Sequence, residues 1–283
     1  MPRRRIGGLA VSAVGLGAMP LSLAGRPDEA RALATVHAAL DAGITLVDTA
    51  DAYGLGEAEV GHNERLVAKA LRQWGGDRDR VLVATKGGHV RRGREWDLDG
   101  SPEHLARACE ASLRALGVEA IGLYQLHRPD PKVPFGESVG ALAELQAAGK
   151  VRLVGLSNVR VDQIRAAREI CTVASVQNEF SPRFRRSEGE LAYCAANRIA
   201  FLCWSPLGGA GRAGAVGERH PAFAAVAARH GVSPQQVALA WALAKGPTVI
   251  PIPGATRPET IRDSAAAARL RLAAAELAEL DRL

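Results

Sequence analysis

The chain has 283 residues, a length that fits one α/β barrel of about 250 residues or two smaller domains. A hydrophobic content of 47%, a charged content of 23% and a net charge of +6 are compatible with a soluble globular protein. The arginines are spread along the chain and aromatic residues make up only 4%, which argues against a nucleic-acid partner that would need a clustered basic patch or stacking platforms.

The uncharged segment 6–25 follows three arginines and so imitates a secretory signal. Its glycines and Pro20 are poor material for a helical apolar core, and we expect the segment to belong to the folded protein. No other segment has the composition of a membrane span. The chain has four cysteines, at positions Cys109, Cys171, Cys194 and Cys203. They show neither a CxxC pair nor metal-ligand spacing, and this predicts reduced thiols, no metal site and a cytoplasmic location.

Apolar runs and turn residues predict a β-hairpin over residues 4–11, with two glycines at its turn. Eight further short apolar runs predict buried strands at residues 14–17, 44–47, 81–84, 121–126, 151–156, 174–177, 200–204 and 248–250. Helical periodicity and start or stop residues predict helices over 27–42, 57–74, 101–117, 137–148, 162–170 and 187–198, two that begin at Ser233 and Pro258, and a last one over 272–283.

Two of the predicted helices carry strong start signals. Ser101 and Ser233 each stand before a proline, which suits an N-cap followed by proline at the first helical position. Gln236 completes a capping box with Ser233. Eight strand–helix alternations without a linker favour one closed (β/α)₈ TIM barrel, an α/β fold, over residues 1–283 rather than two domains.

Ionisable side chains stand at or just beyond the ends of three successive predicted strands. Asp48 follows the second strand, Tyr53 lies in the loop after it, Lys86 follows the third strand and His127 follows the fourth. The C-terminal ends of parallel barrel strands meet at one face, where catalytic groups collect. An isolated ion pair of Asp48 and Lys86, or a packed loop tyrosine, would be a simpler interpretation of each residue alone. Their joint placement favours a catalytic group.

This series resembles the catalytic tetrad of the aldo-keto reductase superfamily. Four later blocks match as well: Gly155-Leu156-Ser157-Asn158, Gln177-Asn178-Glu179, Trp204-Ser205-Pro206-Leu207 and Ile252-Pro253-Gly254-Ala255-Thr256-Arg257. The resemblance covers nearly the whole chain. It implies a barrel whose bottom is plugged by the N-terminal hairpin, and an NADP-dependent enzyme that reduces a small aldehyde or ketone.

The four residues suit proton donation to a carbonyl oxygen. A free phenol has a pKa of about 10 and donates poorly at neutral pH. A neighbouring ammonium stabilises the phenolate, so we expect Lys86 to lower the pKa of Tyr53 and Asp48 to hold the lysine in place. His127 is expected to orient the carbonyl oxygen through a hydrogen bond.

The resemblance also implies the cofactor contacts. Ser157, Asn158 and Gln177 would hydrogen-bond the nicotinamide carboxamide, and Trp204 would stack on the nicotinamide ring, although core packing of this tryptophan remains open. The pyrophosphate would lie along the backbone of Ser205, Pro206 and Leu207. Near the start of a helix, an anion site would be formed by Gly254, Thr256 and Arg257. A guanidinium suits the 2′-phosphate of NADP.

Two glycine patterns imitate a Rossmann fingerprint. Gly15-Leu16-Gly17 lacks the third glycine, and residues 209–214 have the spacing but no acidic residue about 20 positions later. Neither is interpreted as a Rossmann motif. The second lies in the loop after the seventh strand, where barrels often bind phosphate. Two interpretations of this loop remain open. It closes over the pyrophosphate together with Arg212, or it is a plain surface loop.

The chain departs from the resembled family in the helix that begins at Pro258, where Thr260, Asp263 and Ser264 replace the glutamine, glutamate and asparagine of many relatives. These smaller groups weaken the expected adenosine contacts. Met19, Trp96 and Arg128 are further candidates for the substrate pocket. Two other functions remain open: a cofactor-sensing binding protein similar to potassium-channel β subunits, and an isomerase or aldolase that uses Lys86 as a Schiff-base amine.

Overall fold

The structure, a computed structural model, describes residues 1–209 and 211–282. Within these residues the strands, labelled in chain order, are β1 Arg3–Ile6, β2 Leu9–Ser12, β3 Leu16–Gly17, β4 Leu46–Asp48, β5 Leu82–Gly87, β6 His89–Arg92, β7 Glu95–Leu98, β8 Ile121–Leu126, β9 Val151–Ser157, β10 Val173–Glu179, β11 Ala200–Trp204 and β12 Val249–Pro251. The helices are α1 Glu29–Asp41, α2 His62–Gln73, α3 Pro102–Leu116, α4 Phe135–Ala147, α5 Val161–Arg168, α6 Glu188–Ala196, α7 Val216–Arg219, α8 Pro221–His230, α9 Pro234–Ala244, α10 Pro258–Ala266 and α11 Ala274–Asp281.

Eight parallel strands form the barrel, in the order β3-β4-β5-β8-β9-β10-β11-β12. The sheet closes on itself through backbone hydrogen bonds from Gly15 N to Pro251 O and from Gly17 N to Pro253 O, each 3.0 Å long. Gly17 also forms a parallel bridge with Gly254. The predicted (β/α)₈ barrel is therefore confirmed.

The antiparallel hairpin β1–β2 plugs the N-terminal end of the barrel. Its turn includes Gly7 in the left-handed region, at φ +55°. Ile6 and Val11 are buried in one apolar cluster with Leu46 and Leu82, which stand at the starts of their strands. The hairpin thus fills the bottom of the barrel as predicted, and leaves the opposite end for the polar residues.

Capping residues fix the ends of the surrounding helices. The Ser101 hydroxyl accepts a hydrogen bond from His104 N at the start of α3, and the Ser233 hydroxyl accepts one from Gln236 N at the start of α9. Both serines are therefore N-caps, as predicted. The capping box expected from Gln236 is wrong, because the Gln236 side chain donates to Asp263 instead. Gly117 ends α3 with a left-handed φ of +67°, a conformation that glycine adopts without strain.

The helix predicted over residues 57–74 is wrong in its first turn. Glu57–Glu59 is a short 3₁₀ turn, and α2 begins only at His62. The reason is Gly61, whose φ of +77° breaks the helical path and whose N–H donates to Asp51 O at 2.7 Å. The left-handed glycine thus separates the 3₁₀ turn from α2.

Other boundaries shift by a few residues. The strand predicted at 14–17 is reduced to β3, while β5 and β10 run beyond their predicted ends. Lys86 therefore lies within a strand rather than after it. The C-terminal helix predicted over 272–283 is α11, and Leu283 lies outside the described residues.

Two strands and two helices among the described elements were not predicted. The hairpin β6–β7 leaves the top of the barrel after β5 and turns at Gly93, which has a φ of +58°. Helices α7 and α8 lie between β11 and α9. No described helix combines the length and the apolar composition needed to cross a membrane.

Candidate active site

Asp48 and Lys86 form a buried ion pair at the C-terminal end of the barrel. Asp48 is the last residue of β4, and Lys86 lies on the neighbouring strand β5. The Lys86 Nζ lies 2.5 Å from Asp48 Oδ1, and the two residues are 0% and 3% exposed. Parallel pairing of the two strands places both side chains at the same end of the barrel.

The Lys86 ammonium has an acceptor for each of its three N–H groups. They are Asp48 Oδ1 at 2.5 Å, the backbone oxygen of Thr49 at 2.7 Å and the Tyr53 hydroxyl oxygen at 3.3 Å. The loop after β4 therefore brings Tyr53 back onto the ion pair. Because the Tyr53 oxygen accepts from Lys86, its own O–H remains available to donate to another group.

The charges in this cluster set the protonation states. Burial opposes the charge of Lys86, but the charge of Asp48, the Tyr53 phenol and their hydrogen bonds together raise the pKa of Lys86 above its usual value. Burial also raises the pKa of Tyr53; Lys86 lowers it and Asp48 raises it again, so that the net pKa is raised. Lys86 lowers the pKa of Tyr53 as expected, but the expected net lowering is wrong, because burial, the largest cause, and the charge of Asp48 raise the pKa by more. The phenol is protonated at neutral pH.

His127 follows β8 directly, and its ring packs against Tyr53 with the ring centroids 5.6 Å apart in an edge-to-face arrangement. Burial, with His89, Lys86 and Arg128 nearby, holds the pKa of His127 well below its usual value. The imidazole is therefore neutral at physiological pH. Its Nδ1 is buried without a partner among the described residues, while the residue lines the cavity beside Tyr53.

Two glutamine amides hold the second oxygen of Asp48. Gln177 Nε2 donates to Asp48 Oδ2 at 2.7 Å, and Gln125 Nε2 donates to the same oxygen at 3.3 Å. Gln125 is not among the predicted site residues, although it stands two positions before His127 in an otherwise apolar strand. Strand alternation puts both on one face, which is a signal for this contact. Gln177 also lines the cavity, and its amide NH₂ is engaged with Asp48 and Gln125.

Ser157 and Asn158 lie side by side at the end of β9. The Ser157 hydroxyl donates to Gln177 O at 2.8 Å, and Asn158 Nδ2 donates to Ser157 Oγ and to His127 O, both at 3.0 Å. Asn158 has a φ of +58°, a left-handed conformation that asparagine tolerates better than most residues. The network fixes the amide so that its oxygen remains available as an acceptor.

A cavity of about 1020 Å³ opens above this cluster. Asp48, Tyr53 and His127 line it, whereas Lys86 lies beneath them. All the predicted cofactor-contacting residues also line it: Ser157, Asn158, Gln177, Trp204, Ser205, Pro206, Leu207, Gly254, Thr256 and Arg257. The structure thus brings the two predicted groups of residues to one continuous space.

The glycine-rich segment 209–214 borders the cavity through Gly209, Gly211, Ala213 and Gly214, and Ala210 lies outside the described residues. Arg212 does not line this cavity. It lines a separate, small pocket, near enough to Glu179 to lower the pKa of that carboxyl, although burial raises the pKa more. Arg212 thus lies apart from this cavity, and its closure over a pyrophosphate stays a prediction.

The start of α10 faces the cavity without a side-chain cap. Arg257 is the N-cap residue, and its side chain makes no capping hydrogen bond but lies 3.4 Å from Glu259 in an exposed pair. The N–H groups of the first helical turn are therefore available to an anion. Farther along the helix, Asp263 accepts hydrogen bonds from Ser233 Oγ at 2.7 Å and Gln236 Nε2 at 2.6 Å.

The opposite wall of the cavity contains side chains from the first half of the barrel: Met19, His89, Trp96 and Arg128. His89 and Trp96 belong to the hairpin β6–β7. His89 is not among the predicted residues, and its only signal in the sequence is its position three residues after Lys86. The three other residues were candidates whose placement the sequence left open.

The chain is similar in sequence to known proteins along nearly its whole length. The model of the aldo/keto reductase family matches residues 13–283. An uncharacterized oxidoreductase of Schizosaccharomyces pombe is 37% identical over 282 residues, with 98% of this chain and 88% of the relative covered. A probable aldo-keto reductase of Glycine max is 36% identical over 302 residues, with 96% and 85% covered.

Solved structures of similar proteins have the same fold. An aldo/keto reductase of Klebsiella pneumoniae in complex with NADP and acetate superposes with a TM-score of 0.81 at 30% identity, covering 96% of this chain and 91% of that one. The glycerol dehydrogenase of Gluconobacter oxydans superposes with a TM-score of 0.83 at 29% identity, covering 99% and 94%.

Proposed function

Because the chain belongs to the aldo/keto reductase family, we propose that it reduces a small aldehyde or ketone to an alcohol by hydride transfer from NADPH, with Tyr53 as the general acid. The observation that carries this proposal is the buried cluster at the top of the barrel. There the Lys86 ammonium is hydrogen-bonded to the Tyr53 hydroxyl oxygen and paired with Asp48.

The residues of the cavity fit a nicotinamide dinucleotide. The amide oxygens of Asn158 and Gln177 are acceptors for a carboxamide NH₂, because the NH₂ groups of both side chains are already engaged within the protein. Trp204 offers an aromatic face, and its Nε1 is buried without a partner among the described residues. The uncapped start of α10 with Arg257 suits phosphate. When bound, NADPH supplies the hydride.

The protein side chains then have separate roles. The Tyr53 O–H donates its proton to the carbonyl oxygen, which balances the negative charge that the hydride brings to the substrate. Lys86 stabilises the phenolate that remains on Tyr53, and Asp48 holds Lys86 in position. The neutral imidazole of His127 hydrogen-bonds the carbonyl oxygen and orients it towards Tyr53.

We also propose that the chain acts as one barrel domain in the cytoplasm. All four cysteines are unpaired, and burial raises the pKa of each of their thiols. Such thiols are unreactive and fit a reducing compartment.

The Tyr53→Phe substitution tests the proton donor. We expect kcat/KM for an aldehyde to fall by about 10²- to 10⁴-fold, because the ring remains and the proton is lost. The affinity for NADPH, measured by fluorescence titration, should be retained, since the cofactor contacts lie on other strands. Turnover by Tyr53→Phe at the wild-type rate would show that another group donates the proton.

A matched control is Tyr193→Phe. The Tyr193 hydroxyl lies on α6 at the outside of the barrel, where it accepts a hydrogen bond from Arg168 at 2.8 Å. This variant should reduce aldehydes like the wild type. The reductase proposal fails if the wild-type protein binds NADPH but does not oxidise it in the presence of any carbonyl compound tested. A cofactor-binding function then takes its place.

A further inference from the structure

The cavity divides into two halves according to the strands that supply its walls. The residues proposed to contact the cofactor, from Ser157 through Arg257, lie at the C-terminal ends of β9 to β11 or in the segments that follow β9, β11 and β12. The remaining wall is supplied by the segments that follow β3, β5 and β8, which carry Met19, His89, Trp96 and Arg128. Tyr53 and His127, which follow β4 and β8, line this second half as well, and it is the space left for a substrate.

The charge in the substrate half is positive. Arg128 is exposed to the cavity and makes no hydrogen bond or ion pair within residues 1–209 and 211–282. Asp48 is already paired with Lys86, and the other carboxylates of the lining, Glu259 and Asp263, follow β12 on the cofactor side. Arg128 thus places in the substrate half of the cavity a positive charge that has no ion-pair partner among the described residues.

His89 stands beside the same group. Its ring lies 4.1 Å from that of His127, and burial, with Arg128 as the next cause, lowers the pKa of His89 to about 4. The neutral ring has a buried Nδ1 and no hydrogen-bond partner among the described residues. Because Nδ1 has no contact with solvent, a substrate group in the cavity would accept its hydrogen bond from Nε2, the other ring nitrogen, which has no partner among the described residues.

The hairpin holds His89 in place before any substrate arrives. The Trp96 ring packs edge-to-face on His89 at 5.5 Å, and the Arg91 guanidinium lies 4.1 Å from the centroid of Trp96. Arg91, 8% exposed, also donates to Leu55 O at 3.1 Å, two residues after Tyr53. Two further hydrogen bonds join Gly93 to Glu57. The wall is therefore anchored to the loop that carries the proposed acid.

We propose that the carbonyl substrate carries a carboxylate, bound by the guanidinium of Arg128 with a hydrogen bond from His89, so that the preferred substrates are aldehyde acids or oxo acids. A guanidinium matches a carboxylate with two parallel hydrogen bonds. A single cation balances one negative charge, whereas a phosphate monoester carries about −1.5 to −2 at neutral pH. This inference rests on the proposed reductase function and names its substrate class.

The test compares two aldehydes of nearly equal shape, 4-oxobutanoate and its methyl ester, by NADPH oxidation. We expect the wild-type kcat/KM to favour the acid by about tenfold or more, the effect of one charge-assisted hydrogen-bonded pair. In Arg128→Gln the ratio of the two kcat/KM values should fall to about one. Raising the ionic strength from about 0.05 to about 0.5 M should reduce the wild-type ratio as well, because Arg128 is exposed.

Arg94→Gln is the matched control, since Arg94 is an exposed arginine next to the turn of the hairpin that does not line the cavity. It should keep both the rates and the ratio. Equal kcat/KM values for the acid and the ester in the wild type, or a ratio unchanged by Arg128→Gln, would overturn the inference.

If neither aldehyde is reduced, the proposed function fails, and the carboxylate site is judged by binding. Isothermal titration of 4-hydroxybutanoate into the protein with NADP⁺ should then give heat with the wild type and much less with Arg128→Gln. No binding to the wild type would overturn the carboxylate site independently of the reaction.

Discussion

The Lys86 side chain is a cation with no exposed surface, and its charge is balanced within hydrogen-bonding distance. Removing one member of a buried ion pair leaves the other charge without a partner, which costs far more than the loss of an exposed pair. The chain contains an exposed pair of the same residue type, Lys69 with Glu29, at the same Nζ–oxygen distance of 2.5 Å. The two lysines thus allow a direct comparison.

Lys86→Met is expected to lower the free energy of unfolding by about 3–5 kcal/mol, since it leaves Asp48 buried and unpaired. Lys69→Met should cost less than about 1 kcal/mol. Urea denaturation measures both. The rate of carbonyl reduction should fall at least about 100-fold in Lys86→Met alone, because the phenolate of Tyr53 loses its stabilising charge.

A double variant separates stability from catalysis. Adding Asp48→Asn to Lys86→Met removes both charges, so the free energy of unfolding should recover while the rate does not. A double variant as unstable as Lys86→Met would show that packing, not the unpaired charge, accounts for the loss.

At this scale, the sequence could predict Asp48, Lys86 and His127 because each stands near a strand end, and parallel strands fix where those ends meet. It could not predict the direction in which the pKa of Tyr53 shifts. That direction depends on the balance between burial and Asp48, which raise the pKa, and Lys86, which lowers it. His89 was missed because its position depends on a hairpin that returns to the barrel.

Two helices of the outer layer begin in the same way. In α3, Ser101 caps the helix and its hydroxyl donates to Asp99 at 2.6 Å. In α9, Ser233 caps the helix and its hydroxyl donates to Asp263 at 2.7 Å. The caps are equivalent, but Asp263 lies on α10 and lines the proposed cofactor site, whereas Asp99 does not line the cavity.

We therefore expect Ser101→Ala and Ser233→Ala each to lower the free energy of unfolding by about 1 kcal/mol, the usual cost of losing an N-cap. Only Ser233→Ala should weaken NADPH binding, by about 3- to 10-fold, because Asp263 loses one of its two described hydrogen bonds. Fluorescence titration measures the affinity. Equal NADPH affinities in the two variants would show that the hydrogen bond from Ser233 to Asp263 does not contribute to cofactor binding.

Element types were predictable where local signals are strong. The N-caps of α3 and α9 and the apolar strand β8 appear in the sequence with nearly their true bounds. The hairpin β6–β7 was not predicted because most of its residues are polar or charged. Contacts between Gly93 and Glu57 and between Arg91 and Leu55 hold it, and these join segments that only the folded barrel brings together.

For the molecule as a whole, the closure of the barrel depends on a close approach of two backbones. A Cβ placed on Gly17 would lie 2.8 Å from Ile252 O, nearer than real Cβ atoms come to a backbone oxygen. Glycine is therefore required at position 17 because no room exists for a Cβ atom, and not because of its backbone conformation. Gly140, within α4, offers the opposite case, because a Cβ there meets nothing within 4 Å.

Gly17→Ala should lower the free energy of unfolding by about 1–3 kcal/mol, as overpacking does in well-packed cores. Gly140→Ala should raise it by roughly 0.5–1 kcal/mol, since alanine restricts the unfolded chain and favours the helix. Both are measured by urea denaturation. A Gly17→Ala variant as stable as the wild type would mean that β3 and the segment after β12 can move apart at little cost in free energy.

The seam between β3 and the segment after β12 joins partners from opposite ends of the chain. Contacts of such large sequence separation slow folding, because most of the chain must be ordered before they can form. During synthesis, one edge of β3 stays unpaired until β12 and the segment after it have left the ribosome. Until then this edge can pair with strands of other nascent chains. The same hydrogen bonds that complete the native barrel thus make its assembly depend on the synthesis of β12 and the segment after it.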